Sequence, residues 1–290
     1  MISKLQSTGA MALPVNFAPE IMYVGTTNPM RRIGRYRFSL VLPFRNEQKR
    51  LPRQLQEYHH YINKKNLDAE LICVDDCSAD NTWGSIKDLN LIDMCMIRLE
   101  QSGFKYGAIC QGFKIATAPI VGFVDTDWSF GLAVVFSLFE HIEANIDHLD
   151  MVIGSRFTPG RSRLLNADRS NFGTTNDHSG AILTFRYTNF LSRMIYDLPY
   201  TDVEIGLKVL KREYALQWAS EFKCRNNVFF DAEMLWLLRK NGARIVEIPI
   251  EWTFHDSFYE DTGKGRPLLT TLLLWPKIVY FLLSTRAKHL

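Results

Sequence analysis

Short apolar stretches separated by helical segments constrain the fold of this 290-residue chain more than any other feature. Each stretch is continuously apolar, which is typical of strands that are buried on both faces of a parallel sheet. They are Phe38–Pro43, Leu71–Val74, Met94–Leu99, Ile120–Val124 and Met151–Arg156. The alternation of strands and helices predicts an α/β fold, with helices flanking a mostly parallel sheet.

The composition limits the functional classes. A hydrophobic content of 47% with 22% charged residues is ordinary for a globular protein, and the net charge of +3 gives no indication of nucleic-acid binding. The five cysteines have no metal-ligand spacing, so we interpret them as reduced thiols of a cytoplasmic protein. The N-terminus has no apolar run of the length of a signal peptide or a membrane span.

Three regions differ in pattern: an N-terminal tail over residues 1–36, a catalytic domain over 37–255 and a C-terminal segment over 256–290. Residues 268–283 are nearly all apolar, apart from Lys277 and its neighbour Pro276. A helix of that length spans about 24 Å, which is less than the about 30 Å of a bilayer core. We expect an apolar helix in peripheral contact with the cytoplasmic membrane face, although docking on the protein itself or on a partner subunit remains open.

Two acids follow the strand Ile120–Val124. Asp125 and Asp127 are two residues apart, so along an extended chain their carboxylates point to the same side. Two such carboxylates repel each other unless a cation or a proton lies between them. Mg²⁺ and Mn²⁺ prefer oxygen ligands, and Mg²⁺ commonly takes one or two carboxylates together with substrate phosphates. We therefore predict a metal–diphosphate site at Asp125 and Asp127, although this stretch alone fits a polar loop with two solvated acids equally well.

Other polar residues strengthen this prediction. Glu47, Asp75 and Asp76 also follow predicted strands, and ligands of parallel sheets bind at the carboxyl ends of the strands. Residues 157–180 lack periodicity, and such a long loop in a compact domain is typical of a functional lid. This predicted lid over a phosphate-bearing substrate carries Arg161, Arg163, Arg169 and His178.

The second half of the chain contains further predicted elements. Residues 182–196 have the pattern of an amphipathic helix, whose inward residues are predicted to be Phe190, Leu191, Met194 and Ile195. Residues 201–210 form an acidic loop that leads into a short strand. A helix over 229–241 is expected to end at Gly242 in a left-handed cap, before a last strand over 244–251.

Four blocks occur in order: Val41–Glu47 (VLPFRNE), Val74–Thr82 (VDDCSADNT), Phe123–Asp127 (FVDTD) and Phe230–Trp252 (FDAEML to VEIPIEW). Together they resemble glycosyltransferase family 2, with the GT-A (Rossmann-like) fold, over about residues 37–255. The last block, Gly154-Ser155-Arg156 and the stretch 202–208 are similar to the branch of dolichyl- and polyprenyl-phosphate sugar transferases. The sequence departs from these patterns at five positions: Cys77 and Asn81 replace glycines, and Glu204, Ile205 and Leu207 replace Gln, Cys and Phe.

The resemblance implies roles for the matching residues. It implies that Asp125 and Asp127 hold Mg²⁺ or Mn²⁺ against the diphosphate of a nucleotide sugar. The implied nucleotide-sugar pocket is lined by Pro43, Asn46, Glu47, Asp75 or Asp76, Lys105 and Asp125. It implies that Arg156 and Lys208 contact phosphate groups on the acceptor or the donor. The basic lid residues Arg161 and Arg163 are predicted to contact phosphate as well.

The resemblance also implies an inverting sugar transfer to polyprenyl phosphate, such as dolichyl or undecaprenyl phosphate. A phosphate acceptor has a second pKa of about 6 and is already nucleophilic at neutral pH, so it needs basic partners such as Arg156. A glycan hydroxyl needs a carboxylate as general base, for which Asp202, Glu204 and Asp231 are candidates. The sequence is compatible with both acceptor classes.

Two other functional classes fit less well. A sugar nucleotidyltransferase would have a glycine-rich phosphate loop after its first strand, and Pro43-Phe44-Arg45-Asn46 is not such a loop. A non-catalytic nucleotide-binding protein would not need both Asp125 and Asp127. We therefore predict a glycosyltransferase.

Overall fold

The computed structural model describes residues 20–24, 34–89, 91, 93–126, 129–159, 161–165, 179–221 and 229–253. The strands in these ranges are β1 (Glu20–Val24), β2 (Phe38–Phe44), β3 (Ala69–Asp75), β4 (Met94–Arg98), β5 (Ile120–Val124), β6 (Met151–Ser155), β7 (Arg163–Leu165), β8 (Leu207–Lys211), β9 (Ile245–Pro249) and β10 (Glu251–Thr253). The helices are α1 (Leu51–Lys65), α2 (Thr82–Lys87), α3 (Phe104–Ile115), α4 (Leu132–Ala144), α5 (Ser179–Tyr196), α6 (Arg212–Glu221) and α7 (Phe230–Lys240).

Eight strands form one sheet in the order β1-β4-β3-β2-β5-β8-β6-β9. All run in the same direction except β1 and β8, which are antiparallel to their neighbours. The predicted mostly parallel sheet is therefore confirmed. Because β2, β3, β5 and β6 are parallel, the residues that follow them lie at the same edge of the sheet.

Helices cover both faces of the sheet, as predicted. Successive residues of a strand point to opposite faces. On β5, the Phe123 ring packs against Phe113 of α3, with 6.3 Å between ring centroids. A Cβ atom on the preceding Gly122 would instead lie 2.8 Å from the ring of Phe139 in α4. The helices α3 and α4 therefore pack on opposite faces, and the strand side chains between them are buried.

The structure contains elements that the sequence patterns did not predict. Residues 20–24, within the predicted N-terminal tail, form β1 along the edge of β4. Residues 163–165, within the predicted structureless lid, pair in parallel with β10. In both cases the partner is distant along the chain, so local periodicity gives little signal for a strand. The helix α6 was also missed.

The prediction that Phe190 and Met194 face inward is wrong. Their side chains are 53% and 63% exposed. The other two residues of the prediction are confirmed, because Leu191 is buried and Ile195 packs against the core. The inward face of α5 also presents the polar residues Asn189 and Ser192, which are buried. Asn189 accepts a hydrogen bond from the N–H of Val203 at 2.7 Å, so α5 is oriented by its contacts with the acidic loop.

The end of α7 agrees with the prediction. Gly242 has a φ of 85°, the left-handed conformation expected of a helix cap. The apolar residues 268–283 lie outside the described residues. In the part of the chain that the structure describes, no helix is both long enough and apolar enough to cross a bilayer.

Candidate active site

A cleft of about 280 Å³ opens at the carboxyl ends of β2, β3 and β5. The pairing of β2 with β5 ends at Val41 and Phe123, whereas β2 stays paired with β3 as far as Phe44. Pro43, which has no N–H to donate, lies where β2 has lost its β5 neighbour. The described residues that line the cleft are Pro43, Phe44, Arg45, Asp76, Phe104, Lys105, Ala108, Asp125 and Thr126.

Asp125 follows β5 directly and lines the cleft. Its backbone N–H donates to the carbonyl oxygen of Gly206 at 2.9 Å. A Cβ atom on Gly206 would lie 2.0 Å from the Asp125 Oδ2 atom, so glycine is needed beside this carboxylate. The Asp125 carboxylate forms an ion pair with the Lys105 ammonium group. Asp127, the second acid of the predicted pair, lies outside the described residues.

The surroundings of Asp125 fit a divalent metal that a substrate helps to hold. The Asp125 side chain is 29% exposed, and its carboxylate lies against Gly206. Mg²⁺ commonly combines one or two carboxylates with phosphate oxygens and waters, so one described carboxylate is compatible with such a site. In the described ranges, no group of three or more His, Cys, Asp or Glu residues could hold a metal ion.

The two adjacent acids that follow Val74 have different surroundings, as expected of neighbours on a strand. Asp76 lines the cleft, and its carboxylate accepts hydrogen bonds from the Gly103 N–H at 2.7 Å and the Ser102 hydroxyl at 2.8 Å. Asp75 is fully buried, and its Oδ1 atom accepts a hydrogen bond from the Ser78 N–H at 2.8 Å. Asp76 therefore fixes the loop that leads into α3.

Asn46 and Glu47 are held by neighbouring protein groups. Asn46 has a φ of 58°, and its side-chain oxygen accepts a hydrogen bond from the Ala79 N–H at 2.8 Å. The Glu47 carboxylate accepts two hydrogen bonds from the Arg50 guanidinium group, at 2.7 and 2.8 Å. These contacts fix the loop after β2. Direct contact of either residue with a nucleotide stays a prediction.

Cys77 occupies a position where the family pattern has glycine. Its φ of 57° lies in the left-handed region, which glycine adopts at less cost than other residues. The Cys77 thiol donates a hydrogen bond to the carbonyl oxygen of Leu99 at 2.9 Å. The turn therefore keeps a conformation suited to glycine although the residue has changed.

A cluster of buried charges lies at the start of β8, between β5 and β6. The fully buried Lys208 donates to the Asp231 carboxylate and to the carbonyl oxygen of Ile205. The Glu204 carboxyl group accepts a hydrogen bond from the Ser192 hydroxyl at 2.6 Å. Burial raises the pKa of Asp231, although the Lys208 charge opposes this shift. Burial, and after it the charge of Asp231, raises the pKa of Glu204 to about 8, so Glu204 is mostly protonated at neutral pH.

The raised pKa of Glu204 predicts a pH-dependent stability. Above its ordinary pKa of 4.5 and up to about 8, folded Glu204 keeps a proton that the unfolded chain has lost. Glu204 therefore lowers the free energy of unfolding as the pH rises through this range, by up to about 1.4 kcal/mol per pH unit. We expect Glu204→Gln to match the wild type near pH 5 and to exceed its stability at pH 8. Urea unfolding at pH 5, 6.5 and 8 measures this, and an unchanged difference between the two proteins would contradict it.

Arg156, which follows β6, is held in a fixed orientation. Its Nε and Nη2 atoms donate to the Asp202 carboxylate at 2.8 and 2.9 Å. The N–H of the fully buried Asp202 donates in turn to the Glu247 carboxylate at 2.7 Å. The Arg156 guanidinium carbon lies 5.2 Å from the Phe157 ring centroid and 5.9 Å from the Trp252 ring centroid. Asp202 and the two rings therefore orient the charge of Arg156.

The structure describes only part of the predicted basic lid. Arg161 is exposed, and Arg163 begins β7 opposite Glu251 of β10. Arg169 and His178 lie outside the described residues. The proposed phosphate contacts of Arg161 and Arg163 therefore stay predictions.

Three residues that shape the site were missed in the sequence. Gly206 makes room for Asp125, Ser102 holds Asp76, and Glu247 holds the backbone of the acidic loop. Glu247 could have been noticed because it is an acidic residue within the otherwise apolar strand β9. For Gly206 the available signal was its place in the stretch 202–208, which resembles the family. Ser102 acts through a contact with a residue distant along the chain, for which local patterns give no signal.

The comparisons with solved structures define the fold. Glucosyl-3-phosphoglycerate synthase from Mycobacterium tuberculosis, solved with Mn²⁺, uridine diphosphate and phosphoglyceric acid, has a TM-score of 0.56 and 14% identity, with 87% of this chain and 78% of that chain covered. Mannosyl-3-phosphoglycerate synthase from Rubrobacter xylanophilus has a TM-score of 0.51 and 14% identity, covering 90% and 75%. The fold is that of a GT-A glycosyltransferase.

The sequence comparisons identify the family. Residues 39–214 match the family model described as "Glycosyl transferase family 2". The chain is therefore a glycosyltransferase of this family. It is similar to dolichyl-phosphate beta-glucosyltransferase of Dictyostelium discoideum, with 26% identity over 79% of this chain and 69% of the relative. It is also similar to polyprenol monophosphomannose synthase of Mycolicibacterium smegmatis, with 24% identity over 74% and 76%. These similarities support the predicted branch.

Proposed function

We propose that this glycosyltransferase moves a sugar from a nucleoside-diphosphate sugar to polyprenyl phosphate, with inversion and with Mg²⁺ or Mn²⁺. We choose this acceptor because of the contacts and protonation of the three candidate bases, Asp202, Glu204 and Asp231. Asp202 and Asp231 are already engaged by basic side chains, and Glu204 is protonated. The names of the similar dolichyl- and polyprenyl-phosphate enzymes agree with this choice.

The three candidate bases are engaged in different ways. Asp202 is bound through both carboxylate oxygens to Arg156. Asp231 is bound to the buried Lys208. Glu204 keeps its own proton at neutral pH because burial raises its pKa to about 8. A hydroxyl acceptor would need one of them to be free, whereas a phosphate dianion needs no base.

On the donor side, the cleft at Asp125 receives the diphosphate. Lys105 lines the same cleft and supplies positive charge for the phosphate oxygens. A bound divalent metal, held by Asp125 and by the predicted ligand Asp127, would stabilise the negative charge that develops on the leaving diphosphate. Asp76 holds the loop into α3, and the exposed Phe104 ring at the cleft offers a surface for the nucleobase.

On the acceptor side, we propose that Arg156 binds the phosphate, because Asp202 holds its guanidinium group in a fixed orientation. A guanidinium group binds phosphate oxygens through a planar set of donors, and its fixed orientation lowers the entropy lost on binding. Lys208 is fully buried on Asp231, so we propose that it supports the site from within. We further propose that residues 268–283 bring the enzyme to the membrane that contains the lipid acceptor.

The test is a screen of UDP- and GDP-sugars with Mn²⁺ or Mg²⁺, in which release of the nucleoside diphosphate is measured with and without polyprenyl phosphate. We expect one donor to give metal-dependent release that polyprenyl phosphate accelerates and that chelation with EDTA abolishes. Polyprenol, which has the same chain but no phosphate, is the matched control acceptor. Equal acceleration by polyprenol, or by a glycan alone, would contradict the phosphate acceptor.

A further inference from the structure

Contacts of the surrounding loop and helix hold Lys105 against Asp125. It is the second residue of α3, and its ammonium group pairs with Asp125 Oδ1. The preceding loop is fixed by the hydrogen bonds of Gly103 and Ser102 to Asp76. Phe104, between this loop and Lys105, has a φ of 57°, a conformation that bulky residues rarely adopt. Such a backbone persists only where surrounding contacts enforce it.

The position of Lys105 conflicts with a metal bound at Asp125. The Oδ2 atom of Asp125 lies against Gly206, and its Oδ1 atom faces Lys105. A divalent ion on this carboxylate would lie within a few ångströms of the ammonium group. Repulsion between a dication and a cation at that distance is many times the thermal energy in a partly buried site. Metal and ammonium therefore compete for Asp125 unless new negative charge arrives.

A nucleoside diphosphate supplies that negative charge. Lys105 and Asp125 line one cleft, and the Lys105 side chain is 27% exposed, so its flexible stem can reach another partner there. A phosphate oxygen is a stronger partner for an ammonium group than a carboxylate shared with a metal. The ammonium can therefore leave Asp125 when a diphosphate binds, and the vacated carboxylate oxygen becomes available to a metal.

We infer that Lys105 is an exchangeable counter-ion that makes metal binding depend on nucleotide binding. Without nucleotide it neutralises Asp125 and keeps divalent metal out. With a nucleoside diphosphate it moves to a phosphate oxygen and releases Asp125 to the metal. The two ligands therefore bind cooperatively, each raising the affinity for the other by the same factor. The inference rests on the proposed metal–diphosphate function of the cleft.

The test measures the Kd of Mn²⁺ by electron paramagnetic resonance, alone and with saturating UDP or GDP. In the wild type we expect the better of these nucleotides to tighten Mn²⁺ binding on the order of tenfold or more. In Lys105→Met we expect Mn²⁺ alone to bind on the order of tenfold more tightly, and the nucleotide effect to shrink to the part that the diphosphate oxygens supply as metal ligands. Lys105→Arg, which keeps the charge, should behave as the wild type. Lys114→Met, an exposed lysine of the same helix, is the control.

The outcomes separate this inference from the proposed function. If nucleotide tightens Mn²⁺ binding in the wild type but Lys105→Met binds Mn²⁺ alone no more tightly, the counter-ion role is wrong and the metal–diphosphate site stands. If the wild type binds no Mn²⁺ with either nucleotide, the metal site and the inference both fail. Lys105→Gln is measured in parallel, with circular dichroism on every variant, so that the neutral side chain is tested in a folded protein.

Discussion

Asp125→Asn is expected to lower the turnover of sugar transfer by about 10²–10³-fold, the usual cost of losing one charge-stabilising contact to a transition state. Asparagine has the size of aspartate, so the contact with Gly206 is kept and the fold should persist. What is lost is the negative charge that pairs with Lys105 and that would bind the metal. Initial rates at saturating donor and Mn²⁺ measure this loss.

The matched control is Asp88→Asn, which removes the same charge from an exposed position after α2. It should keep full turnover. Asp127→Asn tests the second predicted metal ligand and should behave as Asp125→Asn does. Full turnover of a folded Asp125→Asn would show that the cleft is not where the diphosphate is stabilised.

The second large effect concerns the buried pair of Lys208 and Asp231. We expect Asp231→Asn to lower the free energy of unfolding by about 3 kcal/mol at pH 7, because it leaves a fully buried ammonium group without its carboxylate. This lies at the low end of the usual cost of about 3–5 kcal/mol. The reason is Glu204, which can release its proton and serve Lys208 as a counter-ion once the Asp231 charge is gone.

A double-mutant cycle tests this exchange of roles. In the wild-type background Glu204→Gln should be stabilising at pH 7, since it removes a group with an unfavourably raised pKa. In the Asp231→Asn background the same change should be destabilising by about 1–2 kcal/mol, because it removes the substitute counter-ion. Urea unfolding of the four proteins at pH 7 gives both values. Additive effects would contradict a shared counter-ion.

The sequence predicted the parts of the fold that depend on local patterns. The predictions of the strand Ile120–Val124 and of the cap at Gly242 agree with the structure. A buried strand requires a run of apolar residues, and a left-handed helix cap favours glycine, so both are visible in the sequence. On α5 the prediction is right for Leu191 and wrong for Phe190 and Met194. Ser192 is buried for a hydrogen bond to Glu204, which an apolar pattern cannot indicate. The strand β1 was missed because its formation depends on the open edge of β4.

The site was predictable in its location but not in its internal pairing. The positions of Asp76, Asp125 and Arg156 after parallel strands follow from the topology, which the sequence indicated. The pairing of Arg156 with Asp202 joins residues 46 apart, so it could not be inferred from local patterns. This pairing changes the interpretation of Asp202 from a candidate base to a residue that orients Arg156, the proposed acceptor contact.

The most direct measurement is the identity of the product formed with the donor that the screen selects. Polyprenyl phosphate and the metal are incubated with the enzyme, and the lipid fraction is analysed by mass spectrometry and by NMR of the anomeric centre. The account predicts a polyprenyl-phosphate sugar whose anomeric configuration is opposite to that of the donor. A product with the donor's configuration, or a sugar attached to a glycan hydroxyl while the lipid phosphate stays unmodified, would contradict it.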